Sequence, residues 1–109
     1  MVENQILNPL ECISTVQSYF DLNFEKYKLL KKISYTGYWW IEYSNNEGVK
    51  ICFDGDIGSH FSIKIFIENT EYPLWQFDRS VNNATKSTKK NILYQLEILK
   101  RFLNEAEGD

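Results

Sequence analysis

Between residues 38 and 67, hydrophobic side chains recur at every second position. Trp39, Ile41 and Tyr43 are followed by Val49, Ile51 and Phe53, and then by Phe61, Ile63, Ile65 and Ile67. A period of two puts residues on one side of a strand, so strands over 38–44, 49–54 and from Phe61 onward should share a core face. Asn45-Asn46-Glu47-Gly48 joins the first two, and Gly55-Asp56-Ile57-Gly58-Ser59 joins the next pair. With the core faces aligned, Tyr43 is expected opposite Val49, Ile41 opposite Ile51 and Trp39 opposite Phe53. Phe53 then pairs with Phe61, and Ile51 with Ile63. Gly48 supplies the positive φ that such a loop needs near its end.

Upstream, 27–35 alternates imperfectly, and the adjacent Leu29-Leu30 breaks its period as a β-bulge or a strand buried on both faces would. Thr36-Gly37 is the turn into the next strand. Asn8-Pro9 opens a helix over 9–22, because Asn caps well and Pro at the first position loses no needed hydrogen bond. Leu10, Ile13, Val16 and Phe20 form its apolar face, with Tyr19 beside them. A second helix carries Ile92, Leu93, Leu96, Leu99, Phe102 and Leu103 on a broad stripe. Lys86, Lys89 and Lys90 at its start, with Glu105, Glu107 and Asp109 past its end, oppose the helix dipole and predict frayed ends. Between sheet and helix, Pro73 argues against a central strand, and the Ser, Asn, Thr and Lys of 80–90 read as an exposed connection. The expected fold is α+β: an antiparallel four-stranded β-meander with an N-terminal and a C-terminal helix packed on one face, in the order α-β-β-β-β-α. The 109 residues, 43% of them hydrophobic, are enough for one core, so 1–109 is read as a single domain.

Charge adds a direction. The formal net charge of -3 argues against nonspecific nucleic-acid binding, which depends on Lys and Arg neutralising phosphates. Between residues 40 and 80 the acids Glu42, Glu47, Asp54, Asp56, Glu68, Glu71 and Asp78 face only Lys50, Lys64 and Arg79, whereas basic residues gather in 26–32 and 86–101. An acidic sheet region would steer a basic partner toward it. Residues 1–10 carry neither a basic leader nor a long apolar run, and no stretch approaches the length of a membrane span, so a cytoplasmic location is expected. Cys12 and Cys52 are too few for a disulfide framework or a metal cluster and are read as free, partly buried thiols. No metal and no cofactor is expected.

The polar positions between the core residues supply the candidate sites. The expected register places Tyr38, Asp54 and His60 in one row, Trp40, Cys52 and Ser62 in the next, and Glu42, Lys50 and Lys64 in a third. An Asp orienting a His, with a Tyr to donate a proton, is a possible catalytic row. The plainer reading is a polar pair at a sheet edge, since His60 is the one histidine of the chain. Asp54-Gly55-Asp56 begins like a calcium loop, but Gly58 stands where a third oxygen ligand belongs and no Glu closes the loop, so a turn is expected. There is no phosphate-binding glycine loop and no nucleophile elbow. Tyr38, Trp40, Tyr72, Trp75 and Phe77 are of the kind that anchor protein interfaces; Trp40 suits an interface or a core equally, while Trp75 and Phe77 are expected in the core.

The helix, four-stranded meander, helix order, with an acidic sheet and the strands Tyr38-Trp39-Trp40-Ile41-Glu42-Tyr43 and Val49-Lys50-Ile51-Cys52-Phe53-Asp54, resembles small bacterial immunity proteins of polymorphic or contact-dependent toxin systems. The likeness is one of architecture and composition over most of the chain and carries no diagnostic motif. It implies a noncatalytic module that binds one cognate protein toxin, often a nuclease. The partner-binding residues expected from the surface argument are Tyr38, Trp40, Glu42, Asp54, Asp56 and His60. Two other readings are a small α+β enzyme or ligand-binding domain around Tyr38, Asp54 and His60, and a homodimer formed through the aromatic sheet face.

Overall fold

The computed structural model describes residues 5–56 and 58–107, with Glu107 given by its backbone alone. Ile57 of the expected turn, and Glu107 as a side chain and Asp109 of the terminal charge pattern, lie outside the described residues. Helix α1 spans Pro9–Asn23 and begins as expected. Asn8 Oδ1 accepts the Glu11 N–H at 2.8 Å, and Glu11 Oε1 accepts the Asn8 N–H at 3.0 Å. This reciprocal cap contributes about 1 kcal/mol and sets where the helix starts. Cys12, Ile13, Val16 and Phe20 are its buried stripe; Leu10, expected there, is 68% exposed, because at 3.6 residues per turn it lies roughly 100° around the helix from the centre of that stripe.

Strands β1 (Lys28–Tyr35), β2 (Tyr38–Ser44), β3 (Val49–Gly55), β4 (Phe61–Ile67) and β5 (Thr70–Pro73) make one antiparallel sheet in sequence order. The α+β meander is thus as expected, with a fifth strand added. Glu68 and Asn69, at φ 49° and 74°, form a two-residue turn that folds β5 back on β4. Left-handed backbone at a Glu is uncommon, so this turn carried no glycine signal in the sequence. Pro73 ends β5 at the sheet's edge, where a missing N–H costs no ladder bond. The opposite edge, β1, bulges between Leu29 and Lys31 and is exposed on both faces apart from half-buried Ile33, which decides between the two readings of Leu29-Leu30. Lysines and a bulge protect such an edge from pairing with other chains.

The core faces of β2, β3 and β4 are those expected, but both hairpins pair two residues away from the expected register. Tyr43 lies opposite Ile51, Ile41 opposite Phe53 and Trp39 opposite Gly55; Ile51 faces Ile65 and Phe53 faces Ile63. The loops are shorter than anticipated. Asn45 donates its N–H to the Val49 carbonyl, and its side-chain oxygen accepts from the N–H groups of Glu47 and Val49. Asn46 (φ 61°) and Gly48 (φ 97°) then complete a three-residue loop. At the next turn Asp56 and His60 pair through an N–H to carbonyl bond of 2.8 Å, again enclosing three residues.

After β5 come α2 (Leu74–Phe77), a 3-10 helix (Arg79–Asn83) and α3 (Lys89–Glu107). The expected exposed connection is a correction: Val81, Ala84, Ser87 and Thr88 are buried. Residues 85–87 run beside the start of β4, with Phe61 N–H to Thr85 O and Ser87 N–H to Ser59 O both at 2.8 Å, and Leu7 N–H reaches Ser87 O. These bonds pair backbone groups of a stretch that composition alone assigns to solvent, although the buried Ser87 hydroxyl has no partner among the described residues. Gln95, fully buried on α3, donates to Ala84 O at 2.6 Å and ties the stretch down. Lys89 and Lys90 open α3 with no acid in its first turn and no base in its last, but Glu105 and Glu107, expected past its end, belong to its last turn.

Both long helices lie on the same face of the sheet. Ile92, Leu96, Leu99 and Leu103 of α3 join the α1 stripe over Trp39, Ile41, Tyr43, Ile51, Phe53, Phe61, Ile63 and Ile65. Each fully buried large side chain contributes about 1.5–3 kcal/mol. Phe20 is the hub: its ring stacks on Tyr43 at 3.8 Å and meets Phe24, Tyr27 and Phe53 edge-on. Trp39 lies across Gly55, whose absent Cβ would sit 1.9 Å from the indole Nε1. Gly55→Ala is therefore expected to destabilise the fold by about 1–3 kcal/mol through overpacking, read as a lower urea midpoint at unchanged slope. An unchanged midpoint would mean that the indole can move aside.

Candidate functional site

Because both helices cover one side, the other side of the sheet is left without a layer among the described residues. Its cross-strand rows are set by the observed register: Tyr35 and Tyr38; then Ile33, Trp40, Asp54 and Ser62; then Lys31, Glu42, Cys52, Lys64 and Pro73; then Lys28, Ser44, Lys50, Phe66 and Glu71. The expected row of Tyr38, Asp54 and His60 does not form. Asp54 lies between Trp40 and Ser62, whereas His60 is bridged to Lys86 and its Nδ1 is 2.8 Å from Thr85 Oγ1. The two-residue difference in register accounts for this.

Trp40 is half-buried, and its Nε1–H donates to Glu42 Oε2 at 2.6 Å. That bond holds the indole along the strand and commits one carboxylate oxygen of Glu42. Cys52, opposite Glu42, is only 4% exposed although no layer covers it, and burial pushes its thiol up to about 11. Cys12 is likewise raised to about 11 by burial, so both free thiols are unreactive near neutral pH. Tyr35, 69% exposed, stacks on Tyr38 with centroids 6.3 Å apart. Burial first, then Asp54 and Tyr35, raise the Tyr38 phenol above its ordinary value. Asp56 closes its turn by accepting the His60 N–H at 3.1 Å, as the turn reading of Asp54-Gly55-Asp56 expects, and remains exposed.

The expectation of an acidic sheet is corrected on this face. Lys28 and Lys31 of β1 fold onto it beside Lys50 and Lys64, while Glu47, Glu68 and Asp78 lie in turns and links. Lys64 pairs with Glu71 at 3.9 Å, and Lys50 lies over the Phe66 ring at 5.3 Å. Acidity survives at one end only. The rows with Tyr35, Tyr38, Trp40 and Asp54 contain no lysine; Asp56 lies beyond them, paired with His60, which in turn is bridged to Lys86. Tyr35 belongs to this group and was missed because the bulge at Leu30 changes which β1 residues face outward; counting alternation backward from the Tyr35-Tyr38 turn would have found it.

The other aromatics sort differently. Trp75 is 42% exposed, contrary to its expected core place, because α2 is a single turn at the sheet's edge. Phe77 is half-buried against Phe102 at 5.3 Å, with Arg101 over its ring. Tyr72 is 6.4 Å from the same Phe102.

A cleft of about 560 Å³ lies on the helix side between the 3-10 helix and α3, and contains none of the six expected residues. Ser80 and Tyr94 on its wall belong to a hydrogen-bonded chain: Tyr94 Oη donates to Ser80 Oγ, Ser80 Oγ donates to Asp78 Oδ1 at 2.7 Å, and Arg101 donates to Asp78 Oδ2 at 2.8 Å. Hydrogen bonds from Ser80 and Arg101 hold the Asp78 carboxyl at about 2. So weak a base is a poor proton acceptor near neutrality, and the chain instead anchors the 3-10 helix, whose N-cap is Asp78. Among the described residues no cluster of His, Cys, Asp and Glu could hold a metal ion, and no helix is long and apolar enough to cross a membrane. Comparison with protein-family models finds no match, and neither does comparison with curated proteins or with solved structures.

Asp78 gives a test with a definite sign. Its carboxyl lies below the ordinary value of 3.8, so its contribution to stability is complete above about pH 4 and is lost as pH falls toward 2. Asp78→Asn should flatten the acid limb of a stability-against-pH curve over that window. An unaltered limb would show that Asp78 is not coupled to folding.

Proposed function

We propose that this protein is a noncatalytic binding module that docks a basic protein partner on the aromatic and acidic end of its uncovered sheet face. The observation that carries the reading is the grouping of Tyr35, Tyr38 and Trp40 with Asp54 and Asp56 on a face that neither helix covers. Half-exposed aromatics ringed by carboxylates are the composition of interface hot spots, and carboxylates pair with the Lys and Arg that a nuclease uses for phosphate. A cognate bacterial toxin is such a partner, and the protein would act as its immunity protein, blocking it in the cytoplasm. Glu42 supports Trp40, and His60 borders the site through the Asp56 turn.

The test is capture of partners from the source organism on tagged protein at low and high salt, followed by the same capture with Asp54→Lys/Asp56→Lys and with Trp40→Ala. A single stoichiometric basic protein is expected, whose toxicity is suppressed by co-expression with this chain. The charge reversal should weaken its binding about 10–100-fold, chiefly through slower association, and reduce its salt dependence. Trp40→Ala should cost about 2 kcal/mol. Affinity and salt dependence unaffected by the double reversal would overturn the assignment of the surface.

A further inference from the structure

The helical layer has an outer face of its own, on the opposite side of the molecule from Trp40 and Asp54. On α1, Leu10, Ser14, Ser18 and Leu22 follow one another at a spacing of four, and all four are exposed. Leu22 (83%) and Leu10 (68%) are the most exposed leucines among the described residues. Side chains at this spacing form one inclined ridge, the kind most often packed between helices. The ridge also reads the same in both directions: large, small, small, large. An antiparallel copy, related by a two-fold axis between Ser14 and Ser18, sets Leu10 against the partner's Leu22 and Ser14 against the partner's Ser18. Two-fold interfaces require this self-complementarity, in which residue i meets j and j meets i.

Charge on the neighbouring helix provides the independent observation. Lys89, Leu93 and Glu97 of α3 also follow at a spacing of four. Lys89 lines clefts with Ser14 and Thr15, Leu93 borders the cleft with Ser18 and Leu22, and Glu97 accepts the Tyr19 hydroxyl. The cation thus lies on one side of the ridge's midpoint and the carboxylate on the other. Neither has an ion pair among the described residues, and Glu11, which shares the Lys89 cleft, is engaged in the α1 cap. The same two-fold brings Lys89 toward the partner's Glu97 and Glu97 toward the partner's Lys89, with Leu93 between them. Copies laid parallel would oppose lysine to lysine and glutamate to glutamate, and a partner of one charge sign would repel one of the two groups.

We propose that this face binds a second copy of the chain, as an antiparallel two-fold dimer centred between Ser14 and Ser18 of α1 and on Leu93 of α3. Both sheet faces stay open in that dimer, so it stands or falls independently of a partner docked on Trp40 and Asp54. The face measures about 20 Å along α1 and about 20 Å across the two helices, on the order of 400 Å² per copy. Standard interfaces bury about 800 Å² on each side, so the association is weak and reversible.

Sedimentation equilibrium of the full chain between about 5 and 500 µM tests it: the mean mass is expected to rise from one chain toward two, with a dissociation constant on the order of 10–100 µM. Leu10→Ser/Leu22→Ser, at exposed positions that should leave the urea midpoint of the dilute protein unchanged, should weaken dimerisation by at least about tenfold. Lys89→Glu and Glu97→Lys should each weaken it several-fold, and the two together should restore it, which a merely structural role for either side chain would not do. A mass that stays at one chain across the whole range would overturn the dimer. A dimer that persists in the leucine variant, or that Trp40→Ala abolishes instead, would overturn this face as its seat. Failure of the double charge exchange to recover what the single changes lose would overturn the antiparallel pairing.

Discussion

The Phe20 ring stacked on Tyr43 is the contact on which the rest of the arrangement depends. Phe20 sits in the last full turn of α1 and Tyr43 near the end of β2, so their parallel contact fixes the helix along one strand. Phe24, Tyr27 and Phe53 then close around the same ring at edge-on angles, which suits the charge distribution of aromatic faces and edges. With α1 held there, α3 fills the remaining width of the sheet, and the whole helical layer falls on one side. Every residue of opposite parity in β2, β3 and β4 is thereby turned away from it.

That turned-away face is neither an ordinary solvated surface nor a second core. Cys52 is buried within it, while the charged residues around it are half-exposed or exposed. Its lysines and acids are sorted along the strands, so one end offers aromatic rings with carboxylates and the other mixes charges that satisfy one another. The strands beneath the first end are tied together by the β1–β2 and β2–β3 ladders.

Much of this organisation was legible in the residues. Asn8-Pro9 marked the first helix to within a residue of its end, and the alternation in 39–67 identified the core side of three strands. Register was not legible for a particular reason: alternation is satisfied equally by any slip of two residues, and only loop closure chooses among them. Asn45 made that choice with its side-chain oxygen, and Asp56 made the corresponding one at the next turn. The same slip dissolved the expected grouping of Tyr38, Asp54 and His60. Composition misjudged 80–90 as solvent-facing, because backbone groups of Thr85 and Ser87 bond to the start of β4 and to the N-terminal segment, distant in sequence.

By itself, then, the amino-acid sequence determined the class of fold, the position of the two long helices and the side of each central strand that faces the core, since periodicity and capping act over a few residues. Tertiary structure alone decided which residues lie side by side. The pairing of Trp40 with Asp54, the departure of His60 toward Thr85 and the arrival of β1 lysines on the outer face each arise from contacts between segments far apart in the chain. Local propensity is blind to these contacts, because their free energy appears only when loops close and faces pack.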